Sequence, residues 1–351
     1  MSETPANDAV PTSVRGRRLV SDAVLQWATG EPVQRPGLAD TTRIVARIVD
    51  PRHEEGIAAL LDARDVLLHP SNSDTRARPD GGPLRIDYDG RLEEPGDVAW
   101  ISGMKVQLQD YASIPFLPLS GATIARIRDA TGWSAFLEDA DAARASGVLV
   151  PQLLGSAVAI GGLPARPSGD GRVAAVEIDG DGVARLGVDG AILGGLADPA
   201  ELGSALDRSR PALDRLAAIG GDLVGDVGRR PWLGLYRAAL AFAGPDASGR
   251  SWSVSGLGGS LHPDGDATEV TRDDLLLLHR DSERVLVEPR TLRRFSLSPA
   301  TALVVECVLA TANDEAAVER LASSGTAADA TVIARLVDRL RLDGITLRSA
   351  A

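Results

Sequence analysis

Leu275-Leu276-Leu277-Leu278-His279, Arg284-Val285-Leu286-Val287-Glu288 and Thr291-Leu292-Arg293-Arg294-Phe295-Ser296-Leu297 follow one another with short interruptions near the end of the chain. The first is an apolar run that ends at Asp281-Ser282. The second alternates polar and apolar side chains and stops at Pro289-Arg290, so the pair has the pattern of half-buried strands joined by a tight turn. The third places Leu292 and Leu297 near opposite ends and predicts another strand. Ser298-Pro299 then supplies an N-cap hydroxyl and a proline suited to the first helical position.

Helical spacing takes over from there. Leu303, Val304, Cys307 and Val308 recur at three- and four-residue intervals, which gives a helix one face to pack against the sheet. Asn313 or Asp314 can cap a second helix carrying Ala317, Val318 and Leu321, ended by Ser323-Ser324-Gly325. Asp329 opens a third, whose apolar stripe of Val332, Ile333, Leu336, Val337 and Leu340 runs to Asp343-Gly344. Three strands followed by three helices predict a winged-helix-turn-helix module over residues 269–347.

From Val285 through Pro289 to Leu297-Ser298 the chain resembles the PqqD-like RiPP recognition element, a domain that binds leader peptides in the biosynthesis of ribosomally made, modified peptides. The family typically opens its first helix with Leu-Asn, where this chain has Leu297-Ser298, and separates its first two helices with Asp-Gly, where it has Ala312-Asn313-Asp314. Trp27-Ala28-Thr29-Gly30, Glu94-Pro95-Gly96-Asp97, Gln109-Asp110-Tyr111 and Arg230-Pro231-Trp232-Leu233-Gly234-Leu235-Tyr236 extend a resemblance over the whole chain to the RiPP recognition proteins of actinobacterial daptide pathways. That resemblance implies a non-catalytic scaffold that presents a precursor peptide to a dehydrogenase-like oxidative decarboxylase, an aminotransferase and a methyltransferase. It also implies that the leader adds as a strand beside the third strand and lies against the third helix. Carried onto this chain, the peptide-binding residues are Leu292, Arg293, Arg294 and Phe295 on the strand and Arg335, Asp338, Arg339 and Leu342 on the helix, with the arginines selecting acidic leader residues.

A chain of 351 residues is long enough for two or three compact domains. Its 44% hydrophobic and 25% charged residues suit a globular protein, and with aromatics at only 3% the core must be built mainly from Ala, Val, Leu and Ile. A formal charge of −12 argues against general affinity for nucleic acid or an anionic membrane. Cys307 is the only cysteine, so neither an internal disulfide nor a cysteine-based zinc site can form. Met1 to Thr12 lacks the apolar core of a signal peptide, and no run has the length of a membrane span. These features predict a soluble, cytoplasmic protein.

The predicted fold class is α+β: a mixed α/β N-terminal body followed by the terminal module. A flexible tail is expected over 1–16, an α/β domain over 17–165 and a middle α+β region with linker over 166–268. The first boundary rests on the Gly, Pro and Ser cluster at Gly161 to Gly171. Within the body, strands are expected at Arg43–Val49, Val66–Leu68, Leu84–Tyr88, Val98–Ile101 and Lys105–Leu108, and a helix over Thr131–Ser146. Val173–Ile178 and Val183–Leu186 flank Asp179-Gly180-Asp181-Gly182, a hairpin signal that outweighs a calcium loop because the remaining ligands are missing.

Catalytic signatures are missing. His53, His69, His262 and His279 are dispersed, and His53-Glu54-Glu55 lacks the second histidine of a helical zinc site. Gly256-Leu257-Gly258-Gly259 lacks the final glycine of a dinucleotide loop, and no nucleophile elbow or Walker loop occurs. No enzyme activity, metal or cofactor is therefore expected. The alternative is a transcription regulator with an acidic sensing or dimerisation body, reading DNA through Arg335, Arg339 and Arg341. Residues 271–351 hold 11 arginines and 12 acidic residues, a balance of −1, whereas a DNA reader usually carries a basic face. The body's expected role is to dock partner enzymes or a second copy of the chain.

Overall fold

The computed structural model describes residues 14–30, 43–71, 81–155, 157–161, 173–208, 212–245, 249–262, 270, 272, 274–289, 293–325, 330–342, 345 and 347. The fold is mixed α+β in two compact units, Met1–Trp133 with Ala157–Gly221, and Ser134–Ser156 with Asp222–Ala351.

The first unit opens with α1 (Val14–Thr29), where Val20, Val24 and Trp27 recur at helical spacing and are all buried. The strands β1 (Val45–Ile48), β2 (Val66–Pro70), β3 (Leu84–Gly90), β4 (Val98–Ile101), β5 (Met104–Asp110) and β6 (Ala122–Arg126) follow, with the short helix α2 (Glu54–Ala58) between β1 and β2. Helix α3 (Ala130–Ser146) lies mostly in the second unit. The first unit resumes with β7 (Val158–Gly161), β8 (Ala175–Ile178), β9 (Val183–Leu186), β10 (Ile192–Gly195) and α4 (Pro199–Asp207).

These ten strands form one sheet in the order β10-β9-β8-β1-β2-β3-β4-β5-β6-β7. Pairing is parallel from β8 through β1 and β2 to β3 and again from β5 through β6 to β7, and antiparallel elsewhere. Side chains alternate across the pleat. Val45, Leu68, Ile86, Ile101, Leu108 and Ile124 face α1, whereas Ala46, Ile48, Leu67 and Val176 pack on the other side with Ile57 of α2 and Leu202 of α4.

The sheet is strongly curled. Helix α1 packs on β7 at one end of the order and on β1 and β8 toward the other. Arg126 of β6 also reaches Asp189 in the turn between β9 and β10. In a flat sheet those strands would stand about 34 Å apart. The strands therefore wrap α1 as an incomplete barrel, in which β7 and β10 share no ladder among the described residues.

The second unit adds α5 (Leu223–Arg229), α6 (Leu233–Phe242), β11 (Ser253–Ser255), β12 (Gly258–Gly259), β13 (Leu276–Arg280), β14 (Glu283–Glu288), β15 (Arg293–Ser296), α7 (Pro299–Ala310), α8 (Asp314–Ser323) and α9 (Ala330–Leu342). Its sheet runs β12-β11-β13-β14-β15. The last three strands and three helices occur in the order expected from sequence.

Two expected boundaries differ from what is observed. The division between 17–165 and 166–268 falls within residues 162–172, outside the described set, and does not separate two bodies, because β8 pairs in parallel with β1. The stretch 269–347 is part of a larger unit, because β11 pairs with β13 and α6 packs on it. Helix α1 begins at Val14, so the expected tail of 1–16 overlaps its first residues.

Candidate functional site

Strands β13 and β14 make a hairpin in register from Leu276↔Val287 to Arg280↔Glu283. Asp281 turns it with φ of +48°, a left-handed conformation that aspartate enters more readily than most residues. Strand β15 then pairs with β14 from Val285↔Ser296 to Glu288↔Arg293.

The polarity of β15 follows from one hydrogen bond. The Leu297 N–H donates to the Arg284 carbonyl at 2.9 Å. Antiparallel pairs alternate between bonded and non-bonded, so Phe295 and Arg293 turn their backbone groups toward β14. The N–H and C=O of Arg294 and Ser296 consequently point to the other side, where no strand among the described residues pairs with β15. Both residues are exposed.

Side chains alternate in the same way. Arg293 lies on one face with its guanidinium 4.7 Å from the Phe295 ring and 4.0 Å from Glu288. Arg294 lies on the opposite face, 5.9 Å from the ring of Phe242 at the end of α6. Leu292 lies outside the described residues.

Helix α9 carries the other expected group. Ile333 and Leu340 are buried, Leu336 and Val337 are half-buried, and Val332 is 46% exposed, so the apolar stripe is only partly covered. Arg335, Asp338 and Arg339 are exposed, and Asp338 pairs with Arg341 at 3.3 Å. Leu342 ends the helix, with its side chain outside the described set. Packing runs from α9 to α8, from α8 to α7 and from α7 to β14, which ties the helix to the sheet.

Local sequence accounts for the supports. Ser298 Oγ accepts from the Thr301 N–H with Pro299 in the first turn of α7, and Asn313 Oδ1 accepts from the Ala316 N–H to start α8. Buried Glu306 of α7 accepts from the Leu261 N–H at 2.6 Å and from Ser260 Oγ at 2.9 Å. Burial pushes its carboxyl pKa up. The ring of His262 meets the Arg320 carbonyl of α8 at 2.8 Å, so the loop after β12 is anchored to both helices. Sequence reading missed Glu306 and His262 as anchors, since neither sits in a local motif.

The phrases behind the whole-chain resemblance occupy structural positions. Arg230 grips Asp141 with bonds of 2.8–3.1 Å, Trp232 lies 5.0 Å from the Arg144 guanidinium, and Tyr236 packs on Phe136 at 5.5 Å. Asp97 caps the β3–β4 turn by accepting from the Glu93 and Glu94 N–H groups. Trp27 lies inside the curled sheet of the first unit, and Asp110, half-buried, ends β5 at its rim.

The histidines stay apart. His69 is fully buried, accepts from Arg85 at Nδ1 (2.8 Å) and faces Glu54 from Nε2 (3.2 Å), an arrangement that requires the neutral ring. Burial, then Arg85, lowers its pKa. No group of three His, Cys, Asp or Glu among the described residues is arranged to hold a metal ion, and no described helix is long and apolar enough to cross a membrane. No protein-family model, curated protein or solved structure matches the chain.

Proposed function

We propose that this chain is a non-catalytic recognition protein that holds the leader of a ribosomally made precursor peptide and presents it to modifying enzymes, in maturation of the daptide type. The observation that carries the reading is the outward backbone side of β15, where Arg294 and Ser296 offer donors and acceptors in the spacing an added strand uses. Exposed Arg294, Arg335 and Arg339 favour an acidic leader, and the partly covered stripe of α9 offers apolar contact. We read β13–β15 and α7–α9 as a winged helix of the PqqD-like kind. The near-neutral balance of this region favours a peptide over DNA.

The rest of the chain acts as a docking body in the cytoplasm for a dehydrogenase-like oxidative decarboxylase, an aminotransferase and a methyltransferase, or for a second copy of itself. Tethering leader and enzyme raises the effective concentration of the substrate tail to about the millimolar range for a short connection.

Proline scanning of β15 tests the edge. Arg294→Pro removes an outward donor and leaves the bonds to β14 in place, so it should abolish binding of a fluorescein-labelled leader from a neighbouring precursor gene while the fold persists. Arg293→Pro removes a bond to β14 and should destabilise the protein itself. Unchanged anisotropy titrations with a folded Arg294→Pro variant would reject this edge. Tight binding to duplex DNA would favour the regulator reading.

A further inference from the structure

The curled sheet of the first unit gathers charge at one mouth. Arg47 of β1, Glu177 of β8, Asp110 of β5 and Arg126 of β6 all point to the side that faces α1, as their pleat partners Val45, Ala175, Leu108 and Ile124 show. All four stand at or next to the C-terminal ends of parallel strands, where open α/β sheets bind their ligands. Two turns cross the mouth. Arg126 donates to the Glu93 carbonyl at 2.8 Å and pairs with Asp189, which is held at φ of +58°, and Arg128 bonds Glu94 at 2.6 Å.

Arg47 is 1% exposed and lies between the rings of Trp27 and Tyr88, at 5.3 and 5.2 Å. Glu177 pairs with it at 3.3 Å and Glu93 lies at 3.7 Å, and its three nitrogens make no well-directed hydrogen bond. Trp27 Nε1, Arg126 Nε, Glu177 Oε2 and Asp110 Oδ1 are likewise buried without one. Arg47 Nη1 and Glu177 Oε2 pair with each other as ions, and the other five atoms are a third of the fifteen buried side-chain atoms of that kind among the described residues. Folded proteins leave few buried polar groups unsatisfied, and such a concentration is completed either by ordered water or by a bound molecule.

The unmatched atoms specify its chemistry. The donors of Arg47, Arg126 and Trp27 require an acceptor, Asp110 Oδ1 calls for a donor, and Glu177 is met only by its ion pair with Arg47. A simple anion is disfavoured, because four guanidinium groups (Arg47, Arg91, Arg126, Arg128) face five carboxylates (Glu93, Glu94, Asp110, Glu177, Asp189). A simple cation leaves the donors unmet. We propose that this mouth binds a small zwitterion of the α-amino-acid type, its carboxylate on Arg47 and Arg126 and its ammonium on Glu177 and Asp110.

Isothermal titration and thermal-shift measurements on the full chain, with the twenty free amino acids and with acetate and methylamine as half-ligands, test this. At least one amino acid should bind with a dissociation constant below about 10 mM and exceed both half-ligands by at least about tenfold. Glu177→Gln and Trp27→Phe should each weaken it by at least about tenfold. Should either variant misfold by circular dichroism, the ligand series on the unaltered chain decides. Absence of binding by all twenty, binding equal to acetate alone, or a high-resolution structure grown in the best amino acid that shows only ordered water on Arg47 and Glu177 would overturn the proposal. The leader reading rests on β15 and α9, so Arg294→Pro should leave this binding unchanged.

Discussion

Arg335 and Arg339 are exposed on α9, so an acidic leader side chain would meet them in water. Such pairs contribute about 0.2–1 kcal/mol each. Arg335→Glu and Arg339→Glu should therefore lower leader affinity a few-fold each, more at low salt, and leave the thermal midpoint unchanged. Anisotropy at two ionic strengths checks both points, and salt-independent losses would place the pairs in a shielded site. His279 of β13 behaves differently. Burial, then Arg284, pulls its pKa down to about 4, so the unfolded chain, with an ordinary histidine, binds more protons between about pH 6.5 and 4. Stability from this group is complete above about pH 6.5 and is lost as pH falls toward 4. His69, also lowered, acts in the same direction. Urea midpoints from pH 7 to 4.5 should fall, and His279→Asn should flatten the slope; an unaltered slope would assign it to other groups.

Among the elements, α7 has the most demanding position. Its Ala302, Val305 and Cys307 are buried, burial pushes the thiol up to about 12, and the cysteine is thereby a small core residue. Glu306 on the same helix holds Ser260 and the Leu261 N–H, so truncation leaves two half-buried donors without an acceptor. Glu306→Ala should cost about 1–3 kcal/mol of stability, read from urea denaturation. A change below about 0.5 kcal/mol, the usual scatter for surface substitutions, would show that water replaces the carboxylate. Helix α9 combines a buried pair, Ile333 and Leu340, with an exposed Val332, a division that its apolar spacing alone does not reveal.

At the scale of the whole molecule, strand pairing decides which pieces can fold. A fragment of 269–347 would lose β11 beside β13 and α6 packed on it, exposing Leu276 and Leu278, which are buried in the intact chain. It should aggregate or give poorly dispersed amide resonances, whereas the full chain gives a cooperative transition. A well-dispersed spectrum from the short fragment would show that the three strands and three helices suffice. A cut near residue 165 should be worse, because it parts β8 from β1 and opens the curled sheet beside its central helix.

The sequence by itself determined the local elements. The runs at 276–280 and 284–288, the Ser298-Pro299 start of α7 and the apolar spacing of α9 follow from periodicity and capping, which act over a few residues and leave a local trace. The edge at Arg293, Arg294 and Phe295 was legible as a third strand, but which amides point outward required the register with β14. Helix α1 was missed although Val20, Val24 and Trp27 are helically spaced. The pairing of β8 with β1, the curl of ten strands around α1 and the meeting of Arg47, Arg126, Glu177 and Asp110 were decided by tertiary structure alone. The pairing of β8 with β1 and of Arg47 with Glu177 joins residues 130 positions apart, and a side chain's hydrogen-bonding demands show no partner until the chain has closed on itself.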